Sequence, residues 1–368
     1  MNPQCGGVQK VADLLARFFI SKGHKVFFLI HERKEEDCYK YPVPIYYLPG
    51  INFFSKINID FYHQLLQELS VDIVINHDAS NNRSLLFLNT GNHCVKKISL
   101  HHNDPLIRLN KINKNPGKTK LIPGFLLQKY KLYKTKKELK FLLNESHKVV
   151  LLSKAFLDCI EKKTSLVSNK LLAISNPIIL SGDKVIFNKK KQILFVGRIE
   201  LKQKRLDYLL IIWSRVFEAC TDWELIIVGD GPDKNYIELR AEEMHLKKIY
   251  FKGYMDPEPY YQDAAIICLT SDYEGFGMVL IEAMQHGVVP IAFNNWASVK
   301  DIIVNNETGI LVPTNDVENY ITKLIEIIKN EKLRCEIAVN ACKHVQQFDI
   351  NIIGQKWLNL FEEIMMSH

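Results

Sequence analysis

Two carboxylates eight positions apart, Glu274 and Glu282, frame the segment Ser271-Asp272-Tyr273-Glu274-Gly275-Phe276-Gly277-Met278-Val279-Leu280-Ile281-Glu282-Ala283-Met284. Gly275 and Gly277 follow the first, and an apolar helical pattern runs to the second. This spacing predicts Glu274 at the mouth of a strand-to-helix crevice and Glu282 about two turns into the helix. Backbone N–H groups at the helix start then point at any anion in the crevice. An ordinary helix with two solvated glutamates has the same pattern. Upstream, residues 192–196 read as a buried strand that ends in Gly197-Arg198, with Lys202, Lys204 and Arg205 close behind. Arg198 offers a planar donor fork and Lys204 a mobile ammonium off a strand's carboxyl end, which is the charge a diphosphate needs. A third run, 223–228, enters the turn Gly229-Asp230-Gly231-Pro232. Lys234 stands where a dinucleotide fingerprint has its third glycine, which argues against nicotinamide or flavin.

The elements needed to hold these residues are legible. Residues 264–269 read as a buried parallel strand, and Met278, Leu280, Ile281 and Met284 as the buried stripe of the helix after it. Strands at 24–30, 71–76, 97–100, 148–152 and 171–174 alternate with helical patterns, beginning with an amphipathic helix over 7–22 closed by Gly23. That alternation predicts an α/β protein of parallel sheets wound on both faces. Boundaries are expected as a first domain over 1–180, a polar linker over 181–190, a second domain over 191–345 and a final amphipathic helix within 346–368.

Taken together, these residues resemble the retaining glycosyltransferases of family 4, which have the GT-B fold: two Rossmann-like domains facing across a cleft. The resemblance rests on Gly197-Arg198 with Lys204, Gly229-Asp230-Gly231-Pro232, Phe251-Lys252-Gly253-Tyr254, the glutamate pair with Glu282-Ala283-Met284, and Thr308-Gly309-Ile310-Leu311-Val312-Pro313. It implies that the second domain binds a nucleotide-diphosphate sugar, with uracil as the base. Glu282 would meet the ribose, Gly253 and Tyr254 the base, and Arg198 and Lys204 the diphosphate. Glu274 would meet the donor sugar, beside the N–H groups of Gly275, Phe276 and Gly277. Gly197 and Gly229 shape the same site. Gly6 and Gly7 match the loop that follows the first strand of the acceptor domain in this family. That strand is missing before Met1, as a misplaced start would produce. The last helix is expected to pack back on the first domain.

In the first domain Leu100-His101-His102-Asn103-Asp104-Pro105 ends a strand, and family members carry a histidine here. His102 matches best and His101 second, in the role of a hydrogen bond to a donor-sugar hydroxyl. Two exposed loop histidines are the plain alternative. His77 reads as peripheral, and Ser153 with Asn176-Pro177 as the cleft floor.

Composition sets limits. The chain has 368 residues, 47% hydrophobic and 24% charged, which suits a two-domain globular enzyme. No apolar run reaches the ~18–20 residues of a spanning helix. The opening residues read as an amphipathic helix, not a leader peptide. Eight cysteines without paired spacing predict reduced thiols in the cytoplasm. No Asp-x-Asp occurs, so neither metal nor organic cofactor is implied, the nucleotide sugar being the co-substrate. From Lys96 to Lys148 there are fourteen Lys and Arg against three acids, within a net charge of +7. With Phe125, Leu126, Tyr130 and Tyr133 interleaved, this block suits an anionic membrane surface, a polyanionic acceptor or a solvated face. It has no nucleic-acid module signature.

The expected reaction is hexosyl transfer to a saccharide or lipid-linked saccharide in cell-surface polysaccharide or lipopolysaccharide synthesis, on the cytoplasmic side of the membrane. A nucleotide-sugar epimerase, a phosphorylase and a non-catalytic binder are the alternatives.

Overall fold

The computed structural model describes residues 7–31, 43–77, 84–89, 91, 94–110, 124–180 and 188–366. Gly6 and linker residues 181–187 lie outside them, as do four of the lysines in the basic block (Lys111, Lys114, Lys118 and Lys120). The chain divides into two units, Met1–Ile179 with Ile350–His368, and Leu180–Asp349.

Unit 1 holds a pair of parallel strands, β1 (Phe28–Ile30) and β2 (Ile45–Tyr47), and a four-stranded parallel sheet. In the latter, β3 (Ile73–Asn76), β4 (Lys96–His101), β5 (Lys148–Leu151) and β6 (Leu171–Ala173) lie in sequence order. Apolar runs covered on both faces have no polar alternation, and Ile98, Leu100, Val149, Val150 and Leu151 are almost wholly buried. The helix Ile350–Met366 packs on Gly7–Ser21, with Trp357 and Phe361 against Phe19.

Unit 2 is one six-stranded, all-parallel sheet. Its strands are β7 (Lys190–Val196), β8 (Glu224–Val228), β9 (Ile249–Gly253), β10 (Ala264–Leu269), β11 (Val289–Phe293) and β12 (Ile310–Val312). Their spatial order is β9-β8-β7-β10-β11-β12, the doubly wound arrangement. Chain direction across the sheet reverses between β7 and β10, so the crevice at their carboxyl ends is where such a sheet binds ligands. Every residue of β10 is buried. Sequence reading places β7, β8 and β10 but misses β11, where Pro290 lies inside a central strand and pairs with Ile267. Proline supplies no ladder donor and ordinarily argues against that position.

Candidate functional site

The loops leaving β7 and β8 are joined backbone to backbone. Gly197 donates to the Val228 carbonyl (3.0 Å), Ile199 to Asp230 (2.9 Å) and Gly229 to Gly253 (2.7 Å). A Cβ on Gly229 would fall on the carbonyl oxygen of Gly197, so only glycine permits this approach. The Gly-Asp-Gly-Pro turn thus has a structural duty before any role toward ligand.

Across the switch point, the short helix Leu201–Lys204 is tied to the loop after β10. The Asp272 N–H donates to the Gln203 carbonyl (2.7 Å) and Thr270 Oγ1 to the Lys204 carbonyl (2.9 Å). These bonds bring Lys204 Nζ to 2.6 Å from Glu274 Oε1, the side chains being 12% and 9% exposed. Ser271 Oγ donates to the same oxygen (2.6 Å), and Gln203 Nε2 to Oε2 (3.3 Å). The Lys204 ammonium also lies 3.6 Å from where a Gly197 Cβ would stand, so Gly197 borders the cation at ordinary contact distance. Ser298 Oγ donates to the Gly275 carbonyl (3.2 Å), and Gly277 caps the following helix at φ +98°.

That helix, Met278–Gln285, buries Leu280, Ile281, Ala283 and Met284. Met278 is only half-buried, a correction to the expected stripe: as the first helical residue it lies at the rim. Glu282 lies just over one turn in, not two, because the helix begins at Met278. It is 8% exposed, and Tyr261 Oη donates to Glu282 Oε2 (3.0 Å). Tyr261, 1% exposed, has its ring nearly parallel to that of His286, the centroids 6.0 Å apart.

Of the cations in the upstream run, Lys204 and Arg205 are each 12% exposed, but Lys204 is the one that pairs with Glu274. Arg198 is 68% exposed and pairs loosely with Glu200 (3.5 Å). Lys202 is exposed. Arg205 stacks on Tyr208 at 3.6 Å and binds Asp207 and Asp272, which makes it a clamp between loops. Gly253 ends β9 with φ +72°, Tyr254 beyond it is 62% exposed, and Phe276 is buried against Phe348. Gly7 is exposed at the start of the first helix. Gln203, Ser271 and Tyr261 are the supporting residues that sequence reading missed. Nothing in their spacing announces them, since they reach the glutamates only through folding.

In unit 1, the carboxyl ends of β3 and β4 gather three histidines. His101 and His102 are 7% and 9% exposed, which overturns the alternative of two solvent-exposed loop histidines. The two strands are neighbours in register, so residues just beyond them share one end of the sheet. His77 is bonded to His102, ring nitrogen to ring nitrogen, at 2.9 Å, a correction to its peripheral reading. Burial pushes the imidazoles of His77 and His101 down to about 4, and His102 well below its ordinary value. All three are therefore neutral at physiological pH. Ser153 and Asn176 are buried beyond β5 and β6.

Comparison with known proteins agrees with this architecture. Residues 179–344 match the family model "Glycosyl transferases group 1", and residues 5–181 match "Glycosyltransferase Family 4". The amylovoran biosynthesis glycosyltransferase AmsD of Erwinia amylovora is 32% identical over 48% of this chain and 49% of its own length. The Campylobacter jejuni α-1,4-N-acetyl-D-galactosaminyltransferase that acts on GalNAc-α-(1->4)-GalNAc-α-(1->3)-diNAcBac-PP-undecaprenol is 28% identical over 48% of this chain and 50% of its own. This chain thus spans about half the length of the curated relatives it matches. Among solved structures, Anabaena HepE in complex with UDP and glucose superposes with a TM-score of 0.74 at 14% identity, covering 98% of this chain and 97% of that one. With both halves matched in order and each unit built on a parallel sheet, the chain belongs to glycosyltransferase family 4 and has the GT-B fold.

Proposed function

We propose that this protein is a retaining glycosyltransferase that moves a hexosyl group from a uridine-diphosphate sugar to a saccharide or lipid-linked saccharide in cell-surface polysaccharide synthesis. The observation that carries this reading is the meeting of Lys204, Gly197 and Glu274 at the β7/β10 switch point. An ammonium 2.6 Å from a carboxylate puts a phosphate-binding group and a hydroxyl-binding group side by side. The diphosphate would occupy the space over Gly197, and the sugar the Glu274 side. As the anomeric C–O bond lengthens, charge builds on the departing diphosphate. Lys204, Arg198 and the amides of residues 275–277 would compensate it, the electrostatic contribution that dominates such transfers. Glu282, oriented by Tyr261, would accept from the ribose hydroxyls, with Gly253 and Tyr254 beside the base. His102 would hold a donor-sugar hydroxyl. We assign no divalent metal to the reaction, and a chelator is expected to leave turnover unchanged.

The helix Gly124–Glu145 supports a membrane-facing acceptor. Phe125, Tyr130 and Tyr133 are more than half exposed, and Lys129 and Lys134 lie over the Phe125 and Tyr130 rings. Lysines near an anionic leaflet contribute about 1 kcal/mol each. Among the described residues no helix is long and apolar enough to cross a membrane. Such a surface is therefore assigned to peripheral docking on the cytoplasmic face. Vesicles containing phosphatidylserine should sediment the protein, and phosphatidylcholine vesicles should not.

Titration calorimetry with UDP and GDP tests the central reading. Heat of binding with UDP is expected, and absence of binding by either nucleotide overturns it.

A further inference from the structure

Beside the nitrogen–nitrogen distance of 2.9 Å, the His77 and His102 ring planes differ by only 18° and their centroids lie 5.1 Å apart. Two imidazoles stacked face to face could not place their centroids so far apart with such a short N···N contact. Two rings joined edge to edge by an in-plane N–H···N bond give this separation. The bond uses His77 Nδ1 and His102 Nε2. His102 Nδ1 has no hydrogen-bond partner among the described residues. A neutral pair shares one proton across the bond, so the nitrogen His102 uses there fixes what its other nitrogen offers.

We propose that His77 is a positioning residue. By engaging His102 Nε2 it fixes the ring orientation and tautomer of His102 and leaves Nδ1 as the nitrogen that meets a donor-sugar hydroxyl. This rests on the reading of His102 as a sugar contact. The physical reason is that a histidine lacking such a bond exchanges tautomers and turns about its outer torsion, whereas a bonded one is held. His101 is tethered separately, through Nδ1 to the Asn103 carbonyl (2.9 Å), and so leaves the pair undisturbed.

The test uses the full chain with 15N-labelled histidine. In the wild type, His102 is expected to give a single tautomer pattern in a long-range 15N–1H spectrum, without any substrate. His77→Phe keeps the ring volume but removes the bond, and should shift His102 to averaged tautomers. His77→Asn restores a donor or acceptor near the Nδ1 position and should restore the single pattern. An unchanged His102 pattern in His77→Phe overturns the proposal. The second arm follows UDP release from UDP-glucose, UDP-galactose and their N-acetylated forms. His77→Phe should lower kcat about tenfold on any donor the wild type uses, His77→Asn should recover to within about threefold, and adding His77→Phe to His102→Ala should cost nothing more. If His102→Ala alone keeps wild-type turnover, the sugar-contact reading falls and this proposal with it. If His102→Ala is impaired while His77→Phe is not, only the role of His77 falls.

Discussion

Lys204 Nζ lies 2.6 Å from Glu274 Oε1, although the two residues stand 70 positions apart and both side chains are about nine-tenths buried. The pair is a preformed junction. In the proposed reaction a diphosphate entering over Gly197 would find Lys204 already beside it, while Glu274 would keep Ser271 and Gln203 as partners.

Removing one member of a buried ion pair leaves an unmatched charge, which costs about 3–5 kcal/mol, whereas replacing both by apolar groups is often neutral. Lys204→Met should therefore lower stability by about 3 kcal/mol. Lys204→Met with Glu274→Leu should recover most of that loss in denaturant unfolding. Turnover should remain down by about 10²-fold or more in both. Wild-type turnover in the double variant would contradict the assignment.

Tyr261→Phe deletes the hydrogen bond to the buried Glu282 carboxylate without changing the ring. A bond to a charged group is worth about 1.5–3 kcal/mol, so calorimetry should show UDP binding weakened about tenfold or more. Inorganic pyrophosphate affinity should not move, because the proposed role of Glu282 is at the ribose. Equal weakening of both ligands would place Glu282 elsewhere.

Gly354 lies against Phe18 in the contact between the helices Ile350–Met366 and Gly7–Ser21, and a Cβ there would overlap the Phe18 ring. Alanine gains about 1 kcal/mol in helix propensity over glycine, but overpacking costs about 1–3 kcal/mol. Gly354→Ala is expected to lower the unfolding midpoint. Phe18→Leu added to it should raise the midpoint again, and no rescue would count against the packing argument.

Histidines buried in neutral form make stability depend on pH in one direction. The native values of His77 and His101, about 4, lie below the unfolded value of about 6.5. Between those limits the unfolded chain binds more protons, so stability is complete above about 6.5 and falls as pH drops toward 4. Each unit of difference corresponds to about 1.4 kcal/mol. Urea unfolding followed from pH 7.5 to 4.5 should show this decline. His101→Asn should make it shallower, and an unchanged slope would show that His101 is not buried in neutral form.

Local chemistry fixed much of this protein before it folded. Apolar runs such as 193–196 and 264–269 have no polar side to give to solvent, so they become interior strands. Glycine at 229 marks a backbone approach that no Cβ permits, and at 277 a positive φ that other residues rarely adopt. The carboxylates at 274 and 282 and the cation at 204 could be singled out because their types and spacing suit a diphosphate and its sugar. Tertiary structure alone decided the partners. Strand order brought the end of β7 beside the end of β10 and so joined Lys204 to Glu274. Packing carried Tyr261 to Glu282, and the register of β3 with β4 placed His77 against His102. Such contacts join residues 21 to 70 positions apart, distances over which sequence periodicity carries no signal. Only the closing of the sheet sets them.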